Sequence, residues 1–140
     1  HSKQVTCVGK HRWKLELLER QQIATALDTD GVEPGADIVV EATGSATGLQ
    51  RAFELVRPQG TVVLKTTAAD AARVNMALPV INEVTVLGSR CGPFRPALEA
   101  LALGTIDVQH LVSEVYPLED GVKALERATD SHVMKVLIKM

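Results

Sequence analysis

With 140 residues, 46% of them hydrophobic, the chain has the size and apolar content of one ordinary domain. Fifteen Lys and Arg against seventeen Asp and Glu leave a formal charge of −2, which excludes the strongly basic surface that nucleic acid or an anionic membrane would ask for. No apolar run approaches the roughly 20 residues of a membrane span and no signal-peptide pattern opens the chain, so a cytoplasmic protein is expected.

The chain opens with "VTCVGKHRW": Val5 to Val8 read as a strand, Gly9 ends it, and Lys10, His11 and Arg12 follow at once. A helix is predicted from Arg12 to Gln22, where Trp13, Leu15, Leu17 and Leu18 recur at helical spacing. "IATAL" (Ile23–Leu27) is a short β-compatible piece, and "DTDGVEPG" has the Gly, Pro and Asp of a loop. "ADIVVEAT" (Ala36–Thr43) is an almost unbroken apolar run, as in a central parallel strand buried on both faces. Leu49, Ala52, Phe53 and Val56 then mark a helix over Ala46–Val56, which Pro58 and Gly60 should terminate.

"TVVLKTT" (Thr61–Thr67) is the next predicted strand. An extended piece at Arg73–Met76 and a helical turn near Pro79–Asn82 follow, then a strand, "VTVLGSR" (Val84–Arg90). "FRPALEALALG" is predicted as a helix ending at Gly104, "HLVSEVYPL" as extended, "LEDGVKALERAT" as an amphipathic helix from Leu118, and "HVMKVLIKM" as a final strand. Alternating strand and helix, without repeats or linkers, predict a doubly wound parallel α/β sheet. Aromatic residues are only 3% of the chain, which suits such an aliphatic, layered core.

Ligands of wound sheets bind beyond the carboxyl ends of the strands. Gly9–Arg12, Ala42–Ser45, Lys65–Thr67 and Gly88–Phe94 all turn polar or glycine-rich there, and on one sheet they would share a rim. The cations after Gly9 need a reason of their own, since positive charge at a helix N-terminus opposes the macrodipole by a few tenths of a kcal/mol per group. Two cysteines, Cys7 and Cys91, are too few for a disulfide framework. Cys91, His110 and His132 fit no zinc spacing, so no metal site is expected in this chain.

Five segments, "DIVVEATGS", "LVRPQGTVVLK", "EVTVLGSRCGPF", "YPLEDGVKALERA" and "KVLIKM", resemble, in order, the cofactor-binding domain of the medium-chain, zinc-type alcohol dehydrogenases. That family includes threonine and sorbitol dehydrogenases. The resemblance implies a Rossmann-like fold and an NAD or NADP cofactor. It sets Gly9 where NAD-preferring relatives carry an acidic residue on the adenosine ribose. With no carboxylate at that turn, Lys10, His11 and Arg12 are free to read a 2′-phosphate, so NADP is favoured. Thr43 and Gly44 would lie beneath the ribose. Lys65, Thr66 and Thr67, with Val86 and Gly88, would present backbone groups to the nicotinamide. Lys135 matches a basic position at the pyrophosphate, and Arg90 is a second cation for the same rim.

The chain departs from the family in lacking G-x-G-x-x-G and the zinc ligands, which relatives carry in a separate N-terminal catalytic domain. It therefore reads as one nucleotide-binding domain over residues 1–140, the C-terminal part of a larger dehydrogenase, starting at the second strand of the order 3-2-1-4-5-6. Without the first strand, either the second and fourth close the gap directly, another chain fills it, or the missing piece lies outside this sequence. The chain alone is expected to bind dinucleotide poorly and to catalyse nothing, so no catalytic residue is assigned. Hydride transfer with an alcohol or carbonyl substrate belongs to the parent enzyme, as does zinc. The family's pairing of sheets through an edge strand, here Arg73–Met76, implies a homodimer or higher oligomer. Two other readings stay open: a non-catalytic Rossmann-like assembly module, and a methyltransferase-like nucleotide domain.

Overall fold

The computed structural model describes residues 4–28, 31–45, 47–67 and 73–140. In chain order they form β1 (Thr6–Gly9), α1 (Arg12–Glu19), β2 (Ala24–Leu27), β3 (Ala36–Glu41), α2 (Gly48–Leu55), β4 (Val56–Leu64), α3 (Ala77–Ile81), β5 (Thr85–Gly88), α4 (Phe94–Ala102), β6 (Val112–Pro117), α5 (Gly121–Ala128) and β7 (Lys135–Lys139). The alternation is that of an α/β, Rossmann-like fold, and β3–β4, β4–β5 and β6–β7 all pair in parallel. Hydrogen bonds sort the strands into three sheets, β1–β2, β3–β4–β5 and β6–β7. β1 and β3, the second and fourth strands of the expected order, therefore do not close on one another.

Two compact units divide the chain, one of His1–Cys7, His11–Thr25 and Pro93–Met140, the other of Val8–Lys10 and Ala26–Gly92. In the second unit α2 packs on β3 and β4. Its apolar residues recur three and four apart, so one stripe faces the sheet: Ala52, Phe53, Val56 and Val62 form a buried cluster, with Val39, Leu49, Leu64 and Val84 packed against it. Pairing Val39 with Val62 and Val62 with Val86 sets alternate residues on the α2 side. On the opposite face Ile38, Val40 and Leu87 remain 62%, 59% and 54% exposed. Among the described residues β3 pairs with β4 alone and is covered on its α2 side, so the burial on both faces expected of its apolar run is not seen there. A continuous apolar run states what a strand can tolerate, and neighbouring elements decide what it gets.

Other boundaries also moved. α1 stops at Glu19 because Gln21 and Gln22 turn back, donating their N–H groups to Leu18 O and Glu19 O at 2.9 Å, with Gln22 at φ 61°. α2 begins at Gly48; the expected start, Ala46, lies outside the described residues. β4 begins at Val56, not Thr61, and carries an irregularity, since Ala36 pairs with Val56 but Ile38 with Thr61. Pro58 has no N–H for a ladder, Gln59 sits at φ 58°, and the extra residues bulge out of register. Arg73–Met76 is not a strand. The Asn75 N–H goes to Gln50 Oε1 at 2.9 Å, and Asn75 Oδ1 accepts the Ala77 N–H at 3.0 Å, so side chains use the backbone as an entry to α3.

In the first unit α5 packs on β6 and β7 and buries Ala124, while α4 buries no residue. Arg127 joins this layer by donating to Glu114 on β6 at 2.7 Å and to Asp130 beyond its own helix. The Tyr116 hydroxyl reaches the other oxygen of Glu114 at 2.6 Å.

Candidate functional site

Three parallel strands of the second unit, β3, β4 and β5, end side by side, and their exits converge through hydrogen bonds. The Lys65 N–H donates to Glu41 O at 2.8 Å and the Ser89 N–H to Leu64 O at 2.9 Å, carrying the ladder past the strand ends. Beyond Glu41 the chain turns at Gly44, whose φ of +68° is the left-handed conformation that glycine adopts without strain. The Gly44 N–H donates to Thr66 Oγ1 at 3.0 Å, fastening the β3 exit to the β4 exit.

Beneath this turn sits Glu41, 4% exposed. Its Oε1 accepts the Thr43 N–H at 2.8 Å and the Thr43 hydroxyl at 2.7 Å, and the Thr66 hydroxyl also bonds to it. Burial alone would raise the Glu41 pKa, but the bonds from Thr43 and Thr66 outweigh it together and hold the carboxyl below its ordinary value. Gly48 opens α2 so close by that a Cβ there would lie 2.1 Å from Thr43 Oγ1 and 2.6 Å from Glu41 Oε1. Only glycine lets the helix start against this carboxylate. Glu41 escaped the sequence reading, although a lone acid closing an apolar run just before Thr-Gly was the available signal.

An open cleft of about 370 Å³ lies over the β4 and β5 exits, lined by Lys65, Thr66, Thr67, Gly88, Ser89 and Arg90 with Leu64 at its base. Lys65 Nζ donates to the Arg90 carbonyl at 2.7 Å, bridging the two exits. Among the described residues no atom beyond the chain neighbours lies within 4 Å of where a Cβ would stand at Gly44 or Gly88, so both approaches are clear of them. A flat group can therefore approach both backbones closely.

The structure therefore brings together Thr43, Gly44, Lys65, Thr66, Thr67, Gly88 and Arg90. Val86 lies inside the β5 ladder opposite Val62, two residues before the rim, and does not line the cleft. Gly9 and Lys10 belong to the same unit, Gly9 ending β1 with its carbonyl accepting the Asp28 N–H at 2.9 Å. His11, Arg12 and Lys135 belong to the other unit. His11 precedes α1 without capping it by its side chain. Arg12 pairs with Glu19 at 3.1 Å and Glu16 at 3.6 Å, so its guanidinium is already served by its own helix. Lys135 opens β7 opposite Val112 and is exposed. Among the described residues no three His, Cys, Asp or Glu side chains converge as a metal site, and Cys7 and Cys91 are free thiols.

A family model described as zinc-binding dehydrogenase matches residues 4–105, leaving β6, α5 and β7 beyond it. Mouse (Mus musculus) sorbitol dehydrogenase is 30% identical over 122 residues, 85% of this chain and 34% of that protein. L-Idonate 5-dehydrogenase from Escherichia coli K-12 superposes with a TM-score of 0.90 at 21% identity, covering 99% of this chain and 43% of that one. A zinc-binding dehydrogenase from Sinorhizobium meliloti 1021 bound to NADP gives a TM-score of 0.85 at 23% identity, covering 99% and 46%. The chain thus spans about a third of the length of the curated relatives it matches.

Proposed function

This chain belongs to the zinc-binding dehydrogenase family, and on that premise we propose that it is the cofactor-binding part of an NAD(P)-dependent alcohol or polyol dehydrogenase. The observation that carries the proposal is the convergence of three parallel strand exits on a clear, polar rim, fastened by the bond from Gly44 N–H to Thr66 Oγ1. Rims of this kind hold dinucleotides because backbone groups and small side chains admit the ribose and phosphates closely.

In this reading Thr43 and Gly44 support the adenosine ribose, and the backbone of Lys65 to Thr67 and of Gly88 orients the nicotinamide. Glu41 keeps the ribose support and the nicotinamide support in register through Thr43 and Thr66. When bound, the nicotinamide accepts or returns a hydride. NADP is favoured because Gly9 carries no carboxylate to repel a 2′-phosphate; with Arg12 engaged by Glu16 and Glu19, the phosphate contact falls chiefly to Lys10 and His11. The described residues offer no ligand set for zinc, so no step of this chain is derived through that metal. The reading extends to a cytoplasmic parent acting on an alcohol or carbonyl and to a homodimer or larger assembly, although no strand forms at Arg73–Met76 to serve as the pairing edge.

The chain alone is proposed to bind dinucleotide weakly and to lack activity. A 15N amide titration with NADP tests the weak binding and its place on the rim, and an assay of NADP reduction with alcohols tests the lack of activity. Millimolar binding that shifts Gly44, Thr66 and Gly88 is the expected outcome, with a larger shift at Lys10 for 2′-AMP than for AMP. Micromolar affinity would overturn the weak-binding half. Shifts confined to other parts of the chain would overturn the dinucleotide site.

A further inference from the structure

We propose that the Glu41 carboxylate makes the β3 exit a seat for a ribose hydroxyl, with Ser45 Oγ as the hydrogen-bond acceptor that receives it, and closes that exit to phosphate. The inference rests on the cofactor-rim reading and adds Ser45 to it, as a residue that tells one part of the dinucleotide from another.

A hydroxyl has one proton to donate and two lone pairs that accept, whereas an ionised carboxylate only accepts. Burial acts to raise the Glu41 pKa, but the bonds from Thr43 and Thr66 outweigh it and keep the carboxyl ionised at neutral pH. The Thr43 hydroxyl therefore directs its proton to Glu41 Oε1, at 2.7 Å. Thr43 Oγ1 also lies 3.0 Å from Ser45 Oγ, and in that pair only Ser45 still has a proton to donate. Ser45 Oγ is in turn 3.4 Å from Thr47 Oγ1, so Thr47 is the donor there. The protons run one way, from Thr47 to Ser45 to Thr43 to Glu41. Ser45, an exposed residue, is left with a lone pair to offer and no proton.

The backbone of the turn is drawn inward in the same way. Thr43 gives its N–H to Glu41 Oε1 at 2.8 Å, Gly44 to Thr66 Oγ1 at 3.0 Å and Ser45 to Thr43 Oγ1 at 3.1 Å. Successive N–H groups of a turn can cradle an anion, but these three already serve the carboxylate and its two threonines. A phosphate arriving here meets acceptors in front and a buried negative charge behind. A hydroxyl instead finds an acceptor whose polarity is already set, which reduces the entropy lost on binding.

A polyol substrate carries the same donors as ribose, so the test separates the two sources. The 140-residue chain is titrated with AMP, 2′,3′-dideoxy-AMP, sorbitol and inorganic phosphate while the amides of Gly44, Ser45 and Thr66 are followed. AMP is expected to bind about fivefold more tightly than its dideoxy analogue, as for one hydrogen bond. Sorbitol and phosphate should leave Ser45 unmoved. Ser45→Ala should abolish the difference between the two nucleotides while both still bind. Glu41→Gln, whose amide can donate back to the threonines, should shrink the same difference. A dispersed amide spectrum shows that a variant folds, and Ser45→Ala decides the matter should Glu41→Gln not fold.

Equal affinity for the two nucleotides, both shifting Gly44 and Thr66, would overturn this inference and leave the cofactor rim standing. A difference that survives Ser45→Ala would move the hydroxyl contact elsewhere and refute the role of Ser45. Phosphate that shifts Ser45 as AMP does would contradict the polarity of the turn, and sorbitol that does so would assign the acceptor to a substrate instead. AMP shifts confined to other parts of the chain would remove the rim itself, and this seat with it.

Discussion

In the second unit α2 turns Ala52, Phe53 and Leu55 onto β3 and β4, and Val62 beneath them is fully buried. In the first unit α5 buries only Ala124 and is tied to β6 through Arg127 and Glu114, both about one third exposed. Each layer sets one helix on parallel strands. The layer of the second unit is held by apolar area removed from water, which is insensitive to salt; the first unit also buries Leu15 and Val133, but between α5 and β6 it adds ionic bonds that water and salt weaken. The charged rim described above stands on the apolar layer, where the strand exits are held most firmly.

Breaking the apolar layer should cost most. Phe53→Ala removes the largest side chain of the buried cluster and is expected to destabilise the fold by about 3–5 kcal/mol, measured by urea unfolding; a loss below about 1 kcal/mol would mean that this cluster is not the main support of the sheet. The next effect is Glu41→Gln, which removes the charge from a buried acceptor of three bonds and should cost about 1–3 kcal/mol. A carboxyl whose folded pKa lies below its unfolded value adds stability at pH above the unfolded value, and that gain fades as pH falls through the folded one. Glu41 has this sign, because the bonds from Thr43 and Thr66 outweigh its burial. The parent chain should therefore lose stability on acidification more steeply than Glu41→Gln, and parallel acid titrations of the two would contradict the assigned role.

The smallest effect is expected in the ionic layer. The Tyr116 hydroxyl, then Arg127, hold the Glu114 carboxyl below its ordinary value. Arg127→Met should lower the melting temperature slightly at low ionic strength and scarcely at all in high salt. A loss that stays constant with salt would show that the packing of the Arg127 stem matters more than its charge.

Element order was legible from the chain because period and punctuation are local. Leu49, Ala52, Phe53 and Val56 announce α2, and Gly9, Gly44 and Gly88 stand at or beyond the ends of the strands they were read to close. Much of the rim was legible too, since Thr43, Gly44, Lys65, Thr66 and Gly88 lie where a wound sheet presents its strand ends. Glu41 was passed over because a strand-end acid normally points to water; its burial depends on Thr66, twenty-five residues later, and on the bare backbone of Gly48. Arg73–Met76 failed as a strand for a similar reason, since Gln50 of α2 takes the N–H that a ladder would have used.

Backbone preference and the spacing of apolar residues, both short-range, were enough to set the order of strands and helices and the α/β class. Which strands pair, which sheet face is covered and which carboxylate is buried depend on contacts between residues far apart in the chain. "ADIVVE" reads as a central strand, and among the described residues β4 alone pairs with it, a pairing that no local pattern specifies.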